Sequence, residues 1–181
     1  GGSIMFLHTR KLLVGLLIGL LIVTLTGCGE PSGVKTGAES DSAKSEAQSK
    51  PEENTKKVAV NKEFSVNGLK ITIGEVQVEK ERILVGMTIK NETSDKLTFY
   101  PDQGSAVVGS MQLDANMFMT EGDVSGDIQP GVEKSGVVVF TTPEGKTLTP
   151  EEVTSIALHL GNVYNEKSFE AKPFDTTLSL E

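Results

Sequence analysis

From residue 69 onward, apolar and polar positions alternate with a period of two, the signature of strands that turn one face into a core. Over residues 82–90, Ile83, Val85, Met87 and Ile89 share one face while Gly86, Thr88 and Lys90 share the other, with Leu84 breaking the alternation. Upstream, Leu69, Ile71 and Ile73 fall on odd positions but Val76 and Val78 on even ones. That change of parity across Gly74-Glu75 predicts a β-bulge or bend at the glycine. Lys80-Glu81 then turns this strand into the next as a hairpin, and the polar stretch from Asn91 to Asp95 leads into a strand over 97–100.

Shorter strands are expected at 106–108 and at 111–120, where Met111, Leu113, Met117 and Met119 share parity. After the turn Gln129-Pro130-Gly131, the run Val137-Val138-Val139-Phe140 is apolar without interruption. Such a run predicts a central strand covered on both faces. Thr149-Pro150-Glu151-Glu152 has the order of a helix start, with a capping residue, proline at the first position and acids in the first turn, so one short helical turn is expected there. Alternation resumes over 155–160 with Ile156, Leu158 and Leu160 inward, and Phe169, Phe174, Leu178 and Leu180 complete the pattern. Roughly seven to nine short strands with frequent turns predict an all-β fold, an antiparallel immunoglobulin-like β-sandwich, with a closed barrel as the alternative. The chain has no Trp and a single Cys, so an antibody-type domain with its buried disulfide is excluded.

The first part of the chain reads differently. Arg10 and Lys11 precede an uncharged apolar run from Leu12 to Leu25. That run is shorter than the roughly 20 residues needed to cross a bilayer, so residues 1–27 are read as a signal peptide, with 1–4 an extension ahead of Met5. It ends in Leu25-Thr26-Gly27-Cys28. This resembles the lipobox of bacterial lipoproteins: an aliphatic residue, two small residues that let a peptidase reach the backbone, and a cysteine whose thiol takes the lipid. The resemblance implies lipidation of Cys28 with a diacylglyceryl group and a further acyl chain of the palmitate kind, and hence a cell membrane location on the extracytoplasmic face. Cys28 is the only cysteine, so no intramolecular disulfide can form.

Residues 28–62 are read as the lipidated cysteine and a flexible linker. The stretch is dominated by Ser, Glu, Lys, Gly, Ala and Pro and lacks aromatic residues up to position 62, a composition too polar to offset the entropy of ordering. A free chain of this length spans roughly 30–35 Å r.m.s., enough to lift a domain over 63–181 clear of the headgroups. Loss of residues 1–27 would leave 15 basic against 25 acidic side chains. A balance of about −10 argues against nucleic acid, whose binding needs a basic footprint, and leaves any attachment to an anionic bilayer to the lipid.

Three stretches carry a second resemblance: Ile83-Leu-Val-Gly-Met-Thr-Ile-Lys-Asn-Glu-Thr-Ser-Asp-Lys96, Gly126-Asp-Ile-Gln-Pro-Gly131 and Ser135-Gly-Val-Val-Val-Phe140. Over about residues 70–160 the chain is similar to the immunoglobulin-like domains of unknown function found in lipoproteins of Gram-positive bacteria. The resemblance implies a fold and a location and brings no catalytic residue.

Candidate chemistry is sparse. Beyond residue 27 the one histidine is His159, expected on the outward face opposite Ile156, Leu158 and Leu160. A Ser-His-Asp site needs partners that the neighbouring sequence does not signal. Glu121, Asp123 and Asp127 sit in a glycine-containing loop, with Asp102 in another. Calcium favours such oxygens, but the spacing is not that of an EF-hand, so Asp123 and Asp127 are weak metal candidates and a solvated acidic turn is the expected reading. No G-x-x-x-x-G-K-(S/T) loop occurs. Met111, Met117, Met119 and Phe118 are expected in the core before a binding surface, while Tyr100 and Tyr164 are candidate partner contacts. The leading expectation is a non-enzymatic, membrane-anchored binding or accessory domain without a cofactor, its partner an envelope protein or glycan. A small-ligand- or calcium-binding lipoprotein and an envelope hydrolase are the alternatives.

Overall fold

The computed structural model describes residues 33–37 and 54–181. The expected signal peptide, the lipobox and Cys28 lie outside them. Among the described residues the fold is all-β and antiparallel. Eleven strands run in the order β1 (Lys56–Val66), β2 (Leu69–Val78), β3 (Arg82–Asn91), β4 (Leu97–Phe99), β5 (Ser105–Val108), β6 (Met111–Ala115), β7 (Glu121–Gly122), β8 (Gly126–Ile128), β9 (Glu133–Thr141), β10 (Ser155–Asn165) and β11 (Ala171–Ser179). The hydrogen-bonded path is β1-β2-β3-β9-β6-β5-β10-β4-β8, with β11 on β10 and β7 on β9. At β6 it bends back. Only Asp114 and Ala115 of β6 pair with β9, opposite Thr141 and Phe140, so the sheet turns a corner and closes a sandwich on itself.

The core lies between the two layers. Ile71, Ile73, Val85, Met87, Val138 and Phe140 from one layer meet Phe99, Leu113, Ile156, Leu158 and Phe174 from the other in one buried cluster. Phe174 is its aromatic joint, with ring centroids 5.2 Å from Phe64 and 6.4 Å from Phe99. The parity change at Gly74-Glu75 is a register shift in the β2–β3 ladder between Ile73 and Val76, and β1–β2 shifts likewise between Ala59 and Lys62. The short helical turn is a single 3-10 turn at Pro150–Glu152, although the Thr149 side chain makes no capping bond.

Several elements differ from the sequence reading. The first strand begins at Lys56, inside the stretch expected to be linker. The expected strand over 111–120 ends at Ala115. Asn116 stops it, because its Oδ1 accepts the Phe118 N–H at 3.0 Å and its carbonyl accepts those of Met119 and Thr120, an Asx turn that competes with the ladder. Met117, Phe118 and Met119 are therefore exposed, not core, and so is Phe169 on the β10–β11 loop. Strands β7 and β8 arise from the acidic segment that periodicity left as a loop.

The most consequential difference concerns Val34-Lys35-Thr36-Gly37. These residues lie across the outer face of β2 and β3. Val34 is buried and forms a second, small cluster with Leu84, Val137 and Val139. The Lys35 carbonyl accepts the Glu75 N–H at 2.9 Å, and the Thr36 carbonyl accepts the Thr88 hydroxyl at 3.2 Å. Burying one valine is worth about 1.5–3 kcal/mol and each hydrogen bond about 0.5–1.5 kcal/mol, against about 1–2 kcal/mol for each residue ordered. Gain and cost are of the same size.

Asn91 ties the first two of the resembling stretches together. It is fully buried. Its Nδ2 donates to the carbonyls of Asp95 (2.8 Å) and Ile128 (2.9 Å), and its Oδ1 accepts from the Thr93 N–H and hydroxyl. Its backbone joins the Pro130-Gly131 turn, donating to the Val132 carbonyl and accepting from the Gly131 N–H. Asn91→Ala would strand these groups in the interior, and a loss of about 2–3 kcal/mol is expected. Urea unfolding with an unchanged slope and a lower midpoint would show it.

Candidate functional site

His159 projects from β10 as the alternation predicts, with its side chain about half exposed. Its Nδ1 lies 2.9 Å from Asp175 Oδ1, the directly opposed residue on β11. On its other side β5 places Ser105 opposite His159. Directly opposed residues of an antiparallel pair share a face, so Ser105, His159 and Asp175 stand in one row across three strands. The row arises from strand register, which the linear sequence does not signal. The ring makes no hydrogen bond to the Ser105 hydroxyl among those described. Acyl transfer needs that bond and a pair of oxyanion donors in a water-excluding recess, whereas this row stands on an open sheet surface. The geometry supports an exposed His–Asp contact.

The acidic segment is not gathered around a cavity. Val124, between Asp123 and Asp127, is buried and pins the segment to the core. The carboxylates point to different lysines. Asp123 Oδ1 meets Lys134 Nζ at 2.8 Å, and Asp127 Oδ2 meets Lys96 Nζ at 3.0 Å. Lys96 also holds Glu166 at 2.8 Å, while Thr98 bridges Asp127 and Glu166. Each lysine supplies the positive charge a cation would have supplied. The hydrogen bond from Lys96 holds the Asp127 carboxyl below its ordinary value, and the contacts with Glu166 and then Asp127 raise Lys96. Asp95 is held low in the same way by Lys167 and Asn165.

Of the two candidate aromatic contacts, Tyr100 is 45% exposed at the end of β4, whereas Tyr164 is half-buried in β10 between Thr98 and Ala171. The feature that periodicity missed is the tip Met117-Phe118-Met119. Phe118 is 92% exposed, on a turn whose backbone Asn116 fixes. The signal that could have located it is Asn116 itself, a turn-forming residue inside an apparent strand.

No family model matches the sequence, and no curated protein does. Solved structures are similar at low identity. One is a functionally unknown protein from Listeria monocytogenes, at 14% identity and TM-score 0.49, covering 68% of this chain and 83% of that one. Another is a putative lipoprotein from Bacillus subtilis, at 16% identity and TM-score 0.44; the match covers 66% of this chain and 38% of that longer chain. A third is a conserved hypothetical protein from Bacillus anthracis, at 15% identity and TM-score 0.42, covering 66% and 96%.

Two outcomes follow from these contacts. His159→Ala is expected to leave stability within about 0.5 kcal/mol, because exposed pairs contribute little. Asp127, depressed when folded, stabilises the fold above its unfolded value, and that contribution is lost as pH falls through the lower folded value, below about pH 4. Lys96→Met is expected to return the Asp127 titration upward, which a carboxyl-carbon NMR titration would read.

Proposed function

We propose that this chain is a lipid-anchored, extracytoplasmic accessory domain that acts by binding an envelope protein and not by catalysis. The observation that carries the binding role is the tip Met117-Phe118-Met119. An aromatic ring left in water stabilises nothing in the isolated fold, yet Asn116 holds its loop in one shape, so recognition incurs little ordering cost. Aromatic and methionine side chains of this kind favour apolar recesses on partners. The anchoring role rests on Leu25-Thr26-Gly27-Cys28 and on a surface too acidic to hold a bilayer unaided. Acyl chains contribute about 0.8 kcal/mol for each buried CH₂.

A photo-crosslinking residue in place of Phe118, activated in intact envelopes, tests the binding role. A dominant protein adduct that Met117→Ser abolishes supports it. Adducts to lipid alone would reassign the tip to the bilayer, and the absence of any adduct would remove the reading. Phe118→Ser is expected to leave the urea midpoint unchanged while the partner is lost. Cys28→Ser is expected to release a folded domain to the soluble fraction with the same melting temperature, checked by fractionation and thermal unfolding.

A further inference from the structure

The outer face of β2 and β3 carries a channel whose floor is built from two glycines. A Cβ at Gly86 would come within 2.1 Å of the Lys35 carbonyl oxygen, 2.7 Å of its carbon and 3.0 Å of Val34 Cγ1. A Cβ at Gly74 would meet Gly37 N at 2.5 Å, Lys35 O at 2.6 Å and Thr36 C at 2.7 Å. At both positions the three nearest atoms belong to residues 34–37 and none of the three to the sheet. Neither glycine has the positive φ that would call for glycine on backbone grounds. Their missing side chains serve the segment that crosses them.

The walls are matched to that segment. Leu84, the residue that breaks the alternation of β3, joins Val137 and Val139 to seat Val34. The bulge between Ile73 and Val76 takes Glu75 out of the β2–β3 register, and its N–H goes to the Lys35 carbonyl. Thr88 offers its hydroxyl to the Thr36 carbonyl. The channel thus supplies an apolar seat, a bulge amide and a hydroxyl to a crossing backbone with one branched apolar side chain. Its cluster is separate from the main core.

We propose that this channel is a peptide-binding site whose ligand is the chain's own Val34-Lys35-Thr36-Gly37, and that docking there sets the length of the membrane tether. The tether part rests on the lipid anchor proposed above; the docking part does not. With the segment seated, Cys28 is joined to the domain through the six residues to Val34, at most about 22 Å of extended chain. With it released, the join runs to Lys56, a chain of up to about 100 Å. The domain therefore has a short and a long tether built from one sequence.

Amide exchange on the full chain reads docking through Glu75. In the native sequence its N–H is expected to exchange at least about 10-fold more slowly than in Gly86→Ala, with Val138 unchanged between the two, since only the local unit opens. Val34→Ser, which leaves the glycine floor intact, is expected to accelerate Glu75 in the same direction. Equal Glu75 exchange in all three chains would overturn the site. Neutron reflectometry of the lipidated chain on a supported bilayer reads the tether: Gly86→Ala is expected to move the protein layer outward by about 10 Å or more. An unchanged layer despite faster Glu75 exchange would overturn the tether-length role. Failure of the native chain to adsorb would overturn the anchor and that role together, while exchange still decides the docking.

Discussion

A strand pair that is apolar on both faces has to be covered twice, and β3 with β9 is such a pair. Its inner face meets the sandwich core through Val85, Met87, Val138 and Phe140. Its outer face carries Leu84, Val137 and Val139, which an ordinary two-layer sandwich would leave in water. That second demand organises what surrounds it. Val34 returns from the N-terminal region to meet it, two positions are held to glycine so that a backbone can cross, and a bulge gives up a ladder amide to bind the crossing chain. Bulges and strand glycines weaken sheets in isolation. Here each is compensated by the same few residues.

Asn91 performs the corresponding task for polar groups. The turns at 91–96 and 129–131 bring several carbonyls and amides into the interior, and one amide side chain with its own backbone satisfies six contacts among them. Concentrating this work in one residue makes the joint rigid and also makes it vulnerable, because removing one side chain breaks four hydrogen bonds together. The surface electrostatics are looser. Lysines 96, 134 and 167 each neutralise nearby acids in a strongly acidic chain, and such exposed contacts order loops more than they stabilise the fold.

Much of this was legible in the sequence. The strands β2, β3 and β10 follow from alternation because each turns one face into the core, and the bulge at Gly74-Glu75 follows from the change of parity. The unbroken run in β9 correctly signalled a strand covered on both sides. What covered it was not legible, because Val34 is a lone apolar residue in a polar stretch and its partners lie some 50 and 100 positions away. Leu84 was visible as an irregularity without a cause. The site candidates fared less evenly. His159 faces outward as expected, but Asp175 and Ser105 are brought to it by register across separate strands. The Met117–Met119 segment was misassigned for a local reason: its parity fits a strand, and a single Asn116 outweighs it.

Strands β1 and β11 each pair on one side alone, β1 with β2 and β11 with β10, and both carry lysine. β1 presents Lys56, Lys57 and Lys62 along its length, and β11, bonded to β10, presents Lys172 beside Pro173. Positive charge and proline at an open edge discourage pairing with a second sheet. Were the chain fastened to a bilayer as proposed, the point would be sharper than in solution. Confinement to a plane raises the encounter frequency of neighbouring copies far above that of free molecules, and long exposed strands would then knit into patches. Edges blunted in this way disfavour the joining of one sheet to another, so a dense lawn of the anchored chain would remain a population of independent domains.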